Sequence, residues 1–471
     1  MWSFSIIQMR TGSRNMMIRR YFILITALVI ISEGSAEREE FLYRHIPDGE
    51  KPTIIWWTPD TFPHSRKESS THTIQCETGP CITTVDRQRV NNSIPQAFMF
   101  YGTDFRANDL PLPRFPWQHW ALFHEESPKN NWILSHEDCI RFFNYTATFS
   151  PKSDYPVTSQ YIKDPKEWAE IPAVSTINKN RYQHEEGLAP IVYVQRDCNT
   201  PSDRDSYVKE LMKYIDIDSY GPCLNNKKLP ENINGFHNFD NPKFHAFLSK
   251  YKFIIAFENA ICDGYMTEKL FRPLKIGSIP IYLGSPSVLD WLPNEHSVIL
   301  ASDFSGPKEL AHFLNDLNHE DEVYNAHLIH KKPGGIYNKA LFAGIEQRGW
   351  RILGEWDKDN FGHRMYAGYE CYVCDSMYRW NDTLGKLLNN PQSTAAPASK
   401  TADNSHLGCP EPKALIPSEG QFSQSFPYWQ GLREAKALNE MIFNKETDSR
   451  KFIGKYLKMS TDKYYVPKDE L

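Results

Sequence analysis

The chain lacks a membrane-length apolar run: its stretch near the start, from Tyr21 to Ile31, holds about eleven residues, against the roughly twenty that span a bilayer. It lacks a charge excess of either sign, with 53 Lys and Arg against 58 Asp and Glu and a net charge of -5. That argues against a chain built to coat nucleic acid, while leaving room for a local basic cleft. It lacks internal repeats, which sets solenoid and propeller architectures aside. It also lacks a second Cys-x-x-Cys and any His-x-x-x-His. Cys371-x-x-Cys374 therefore has no partner set for zinc.

What is present begins with size. The 471 residues exceed one ordinary domain and indicate two, with extra segments. Composition is that of a folded globular protein, 40% hydrophobic and 24% charged. Aromatics reach 13%. Such side chains line sugar clefts and fill cores alike.

The ends carry addresses. Arg10, Arg14, Arg19 and Arg20 precede the Tyr21–Ile31 run, and Gly34-Ser35-Ala36 follows it. This reads as a signal peptide over 1–36, with a short signal-anchor as the alternative. The last four residues, Lys468-Asp469-Glu470-Leu471, spell the retention address read by the KDEL receptor of the endoplasmic reticulum. The expected location is the lumen of that compartment, soluble or membrane-anchored at the N-terminus, with possible cycling through the Golgi. Three glycosylation sequons begin at Asn91, Asn144 and Asn381. Nine cysteines in an oxidising lumen leave at least one unpaired. Cys371 and Cys374 are expected in structural disulfides, either with each other or with Cys76 and Cys81.

Along the chain, short apolar runs at 53–57, 96–101, 120–123 and 145–149 read as strands. From Pro190 the texture changes. Ile191–Val194, Phe253–Phe257, Ile279–Leu283 and 297–300 read as buried strands. Between and after them come helical patterns: Val208, Leu211, Met212 and Ile215 at i, i+3, i+4, i+7, capped by Ser202 or Asp203; 268–276, stopped by Gly277; and 307–317. Strand–helix alternation implies a parallel sheet that binds ligands at the carboxyl ends of its strands. Residues 386–420 read as a linker, and 428–458 as one helix.

The densest chemistry lies at 251–284. A strand runs into a polar loop and first helical turn bearing Glu258, Asn259, Asp263, Tyr265, Thr267, Glu268 and Lys269. A βα junction with a cation beside helix amides suits a phosphate-bearing ligand. The pattern alone equally describes a solvated, capped helix start. Asp203-x-Asp205, Asp216-x-Asp218 and Asp357-x-Asp359 could hold a metal, but the first two pairs lie at helix ends, where capping and solvation explain them. No metal is expected.

Phe257-Glu258-Asn259, Tyr265-x-Thr267-Glu268-Lys269 and Gly277-Ser278-Ile279-Pro280 together resemble the donor-site signature of the α1,3/4-fucosyltransferase family. Trp120–Pro128, ending in Glu125-Glu126-Ser127-Pro128, resembles its acceptor-side segment. Phe143–Phe149 and Val194–Leu211 resemble further segments, and the likeness covers about residues 50–385. Within the family the chain is most similar to the divergent endoplasmic-reticulum branch, regarded as protein O-fucosyltransferases for EMI domains and first named as α1,3-fucosyltransferases. The retention signal, the segment at 369–375 and the extension with its isolated Cys409 fit that branch.

The resemblance implies an α/β protein of GT-B architecture: two Rossmann-like domains facing each other across a cleft, with a C-terminal helical extension. The expected boundaries are 37–189 for the acceptor-side domain and 190–385 for the donor domain. A linker at 386–420, the extension at 421–467 and the retention signal at 468–471 follow. It implies an inverting transfer of fucose from GDP-β-L-fucose, a co-substrate, with no cofactor. Glu126 matches the general base, with Glu125 its rival. Arg204, Asn259, Tyr265, Glu268 and Lys269 match donor-binding positions, with Arg204 and Lys269 on the phosphates. A carboxylate near pKa 4.3 in water would be raised by the aromatic surroundings of Trp120 and Phe123. The expected acceptor is a Ser or Thr of a secretory protein. The alternatives are N-acetylglucosamine of an N-glycan, or a lectin-like or chaperone module without turnover. An oxidoreductase built on the Cys-x-x-Cys lacks a thioredoxin-like setting. Three features depart from the family's sugar-modifying members: Ser150-Pro151-Lys152 where paired arginines stand, Gly264, and Arg272-Pro273, whose proline should kink or end the helix.

Overall fold

The computed structural model describes residues 44–64, 67, 69–231, 233, 241–350, 360–389, 400–416 and 425–459. The expected signal segment, the retention tetrapeptide and Asp357-x-Asp359 lie outside the described residues. Among the described residues no helix is long and apolar enough to cross a membrane.

Two α/β units face each other. The first carries a six-stranded sheet: β1 (Thr53–Trp56), β2 (Thr71–Gln75), β3 (Pro80–Thr84), β4 (Gln96–Tyr101), β5 (Gln118–His124) and β6 (Tyr145–Thr148). Its order is β2-β3-β1-β4-β5-β6. Only the β2–β3 hairpin is antiparallel. β5 and β6 are buried along their whole length, as strands covered on both faces must be.

The second unit is a wholly parallel sheet of β7 (Ile191–Val194), β8 (Ile217–Tyr220), β9 (Phe253–Phe257), β10 (Ile279–Leu283) and β11 (Ile299–Leu300), in the order β11-β10-β9-β7-β8. All five residues of β9 are buried, and each such large apolar side chain contributes about 1.5–3 kcal/mol. The chain steps to one side of β7 for β8 and to the other for β9. The switch point therefore lies between β7 and β9, where open α/β sheets bind ligands. The loops leaving these two strands are 195–203 and 258–267.

Helices refine the expected boundaries. The helix Thr176–Glu186 packs on the second unit, because the buried Lys179 ammonium donates to Tyr251 O at 2.7 Å and Ser278 Oγ at 3.0 Å. The helix His363–Asn389 leaves the second unit and packs on the first. Its buried Glu370 accepts from Trp56 Nε1 at 2.7 Å and Thr83 Oγ1 at 2.6 Å. Disulfides Cys76–Cys371 and Cys81–Cys374 fasten it to the β2–β3 hairpin. The Cys-x-x-Cys cysteines thus pair with the earlier two rather than with each other. Cys198–Cys223 is a third bond, and Cys139 is the free, buried cysteine.

Four local expectations are corrected. The helix predicted through Met212 and Ile215 ends at Leu211, and Ile215 is buried beyond it in a turn. Pro273 does not end its helix, which runs from Glu268 to Ile276. Gly277, at φ +75°, ends it by donating its N–H to Pro273 O. The helix expected over 428–458 is two, Ser425–Phe443 and Phe452–Met459. Lys445 at φ +53° and an Asp448-capped turn break it. The described parts of the expected linker are not linker-like: 386–389 complete the long helix, and 400–416 are packed, with Ala402, His406 and Leu407 buried.

Candidate active site

β5 delivers Glu125 and Glu126 at its carboxyl end. Glu126 faces the loop after β9 across a cavity of about 750 Å³, within the range of small-molecule sites. Glu126 lines it from the first unit, and Asn259, Tyr265, Glu268 and Lys269 line it from the second. The sequence-predicted residues from chain regions more than 130 positions apart therefore meet on one wall.

The donor loop is held from behind. Glu258, fully buried, accepts the Thr267 N–H at 2.7 Å and the Thr267 hydroxyl at 2.8 Å. Thr267 in turn caps the helix by accepting the Lys269 N–H. Gly264, at φ +80°, lets the loop touch the first unit: a Cβ there would lie 2.3 Å from Phe149 O. No other residue type fits so close an approach in that backbone region. The adjacent Tyr265 ring stands edge-on to Phe149 at 5.1 Å, and its hydroxyl bonds Glu126.

Electrostatics follow from this geometry. Burial raises the Glu126 pKa, aided by the negative Glu268, while Lys269 and the Tyr265 hydroxyl restrain the rise. Burial pushes Glu125 up to about 7, with repulsion from Glu126 adding and the 3.0 Å bond from Tyr101 Oη opposing. Glu125 does not line the cavity, and its Oε2 is buried without a protein partner. For Glu268, burial pulls upward, but Lys269 at 3.3 Å and Arg272 at 3.9 Å bring its carboxyl below the usual range. Asn259 Oδ1 is buried without a protein partner, an acceptor left for a ligand.

Arg204 stands apart. Its buried guanidinium donates to Phe257 O at 3.1 Å and Asp197 O at 2.6 Å. These two carbonyls, at the ends of β9 and in the β7 loop, hold it behind the cavity wall, which it does not line. Asp203 does not cap the helix it precedes. It sits at φ +51°, and its carboxylate accepts the Leu415 N–H at 2.8 Å. Ser202 donates its hydroxyl to Glu258 O at 2.6 Å instead.

Of the first two Asp pairs, Asp203, Asp205 and Asp218 are committed internally. Asp205 accepts from Tyr193 Oη at 2.6 Å and Asn199 N at 3.1 Å. Asp218 accepts from Tyr251 Oη at 2.9 Å and pairs Lys227 at 2.8 Å. Among the described residues, Cys198, Asp205 and Cys223 cluster as possible ligands. The two sulfurs are joined in a disulfide, which leaves no thiolate for a metal. Of the sequons, Asn91 is exposed. Asn381 is half-buried, its Oδ1 accepting the Ile46 N–H at 2.7 Å. Asn144 is corrected as a glycan site. It is buried, its Oδ1 accepts from Trp120 N and Arg114, and its Nδ2 donates to Lys400 O.

Arg272, the arginine nearest Lys269 along the chain, and Lys275, which the sequence reading passed over, are also cavity residues. They stand four and seven positions after Glu268, on one helix face, so helical spacing would have found them. Trp168, stacked on Phe271 at 5.9 Å and lining the same cavity, had no local signal.

Two family profiles match the chain. "Fucosyltransferase, N-terminal" covers residues 49–161, and "Glycosyltransferase family 10 (fucosyltransferase) C-term" covers 185–344. A dog protein named GDP-fucose protein O-fucosyltransferase 3 is 38% identical over 445 residues, covering 88% of each chain. A Xenopus laevis protein of the same name is 40% identical over 415 residues, covering 86% of this chain and 84% of its own. A crystal structure of an α1,3-fucosyltransferase with GDP covers 64% of this chain and 91% of its own at 17% identity and a TM-score of 0.39. With profiles over both units and relatives at this identity along most of its length, the chain belongs to the glycosyltransferase family 10 fucosyltransferases.

Proposed function

We propose that this fucosyltransferase moves L-fucose from GDP-β-L-fucose to Ser or Thr hydroxyls of folded secretory proteins, EMI-type domains among them, in a single inverting step. The observation that carries the reading is one cavity with a carboxylate from one unit facing a cation-bearing helix start from the other. Glu126 takes the proton of the acceptor hydroxyl as its oxygen attacks the anomeric carbon. The bond from that carbon to the diphosphate oxygen breaks, and GDP leaves with the negative charge. Lys269, with Arg272 beside it, stabilises that charge as it develops. Asn259, Tyr265 and Glu268 hold the ribose and fucose hydroxyls, and Glu126 passes its proton to solvent afterwards. Arg204 acts from behind, fixing the ends of β7 and β9.

The protein acceptor is supported by the names of the two relatives. An oxidising lumen is supported by the three disulfides above and a fourth, Cys262–Cys409, and the tetrapeptide 468–471 reads as the address that the KDEL receptor recognises. The test incubates the enzyme with GDP-fucose and either a folded EMI domain or a biantennary N-glycan, read by mass spectrometry. Deoxyhexose on a Ser or Thr is expected. Deoxyhexose on the glycan alone overturns the acceptor, and a gain on neither with GDP bound overturns the acceptor class.

A further inference from the structure

Both family profiles end by residue 344. The segment 400–416 lies beyond them, yet it touches both units where they meet the donor loop. On the first unit it runs beside β6. Ala402 N donates to Phe143 O at 2.9 Å, His406 Nδ1 meets Thr146 Oγ1 at 2.6 Å, Thr148 Oγ1 donates to His406 O, and Ser150 Oγ donates to Ser405 O at 2.7 Å. Lys400 pairs with Asp154. On the second unit, Gly408 O accepts the Asp263 N–H at 3.1 Å, and Asp203 accepts the Leu415 N–H. Cys409 is disulfide-bonded to Cys262, inside the donor loop. Ala260, Cys262 and Tyr265 of that loop share one apolar cluster with Phe149, Ala402 and Leu407.

We propose that 400–416 is a covalent clasp for the donor site, with Cys262 and Cys409 as positioning residues that hold the loop bearing Tyr265, and with it the helix start at Glu268 and Lys269, against the end of β6. This rests on the donor-site reading above. The physical basis is pre-organisation. The bond closes a chain separation of 147 residues, so a loop that would otherwise be ordered at each binding event is already ordered. Ser150 is itself buried, and its hydroxyl serves the clasp.

The test compares the full-length enzyme with Cys262→Ser/Cys409→Ser and with His406→Ala, which loosens the clasp and keeps the disulfide. GDP binding is measured by titration calorimetry, KM and kcat with GDP-fucose, and hydrogen exchange over 262–268. The expected result is a Kd for GDP and a KM for GDP-fucose raised about tenfold in the double variant, about threefold in His406→Ala, and kcat at saturating donor largely retained. Exchange over 262–268 quickens in both. A general loss of folding would lower the active fraction without this split. Unchanged Kd and unchanged exchange in folded variants overturn the clasp. Failure of the unaltered enzyme to bind GDP overturns the donor-site reading instead, and the exchange comparison still decides the clasp.

Discussion

Exchanging Glu126 for Gln keeps the side chain's size and its contact with Tyr265 while removing its basicity. The structure gives three linked magnitudes. A positioned general base contributes about 10²–10⁴ in rate, so kcat should fall by that factor, about 3–5 kcal/mol of barrier. On the proposed donor placement GDP affinity should not fall and should tighten modestly, since the neutral amide removes a negative charge from the cavity that takes the diphosphate. The third concerns pH. Burial raises the Glu126 pKa, so the fold disfavours its ionised form. The native state then binds the proton more tightly than the unfolded chain, and stability falls as pH rises through the raised value. Glu126→Gln should therefore melt higher than the parent at pH 8 and no differently below pH 4, while the acid limb of the parent's rate profile disappears. Glu125→Gln is the control. Its pKa of about 7 against 4.5 costs about 3 kcal/mol when ionised. Glu125→Gln should therefore raise the melting temperature at pH 8 by on the order of 3 °C and lose less than tenfold in kcat. The assay is a pH series of initial rates with GDP-fucose alongside differential scanning calorimetry. A Glu126→Gln enzyme within tenfold of the parent, or a Glu125→Gln enzyme as crippled as Glu126→Gln, would refute the assignment of the base.

Gly264→Ala places a Cβ 2.3 Å from Phe149 O in a backbone region costing a side chain about 1–2 kcal/mol. The donor loop should lift from β6, and calorimetry should show GDP affinity about tenfold weaker. Asn144→Ala should lower stability by about 2–4 kcal/mol in denaturant melts without any loss of glycan mass, because its amide is spent on buried partners. Asn91→Gln should instead lose one glycan in intact-mass spectra and leave stability within about 0.5 kcal/mol.

Three strands of the second unit were legible to the residue, whereas β8 (Ile217–Tyr220), with Asp218 inside it rather than at a helix end, was missed. Ile191–Val194, Phe253–Phe257 and Ile279–Leu283 form the strands read from their apolar runs, because buried parallel strands leave no other pattern. The donor loop was legible through its resemblance, including Tyr265, Glu268 and Lys269. What failed depended on distant partners. The polar composition of 386–420 suggested a linker, but Thr146, Thr148 and Ser150 supply hydrogen bonds that water would otherwise provide to 400–409. Those partners lie over 250 positions away, beyond any local pattern. Asn144 read as a sequon because the three-residue motif is blind to burial. Arg204 matched by position along the chain, and only the fold shows its guanidinium turned onto Phe257 O and Asp197 O. Disulfide partners were open for the same reason: spacing along a chain does not fix distance in space.

The proposed base, Glu126, and the proposed leaving-group cation, Lys269, sit on different units yet within one field. Lys269 lowers the Glu126 pKa, which burial and Glu268 raise. On the proposed donor placement, a diphosphate beside Lys269 would offset that cation's field and so raise the Glu126 pKa further. Release of GDP restores the field and helps Glu126 give up the proton it has taken. The coupling requires the two units to keep their spacing. The contact of Gly264 with Phe149, the ion pair of Lys129 with Asp197 across the units and the clasp at 400–416 all act on that distance. A general base tuned by its neighbour's ligand is sensitive to small displacements, because an interaction between charges of this kind weakens inversely with separation. The investment of a disulfide, a left-handed glycine and a run of side-chain bonds around one loop follows from that sensitivity.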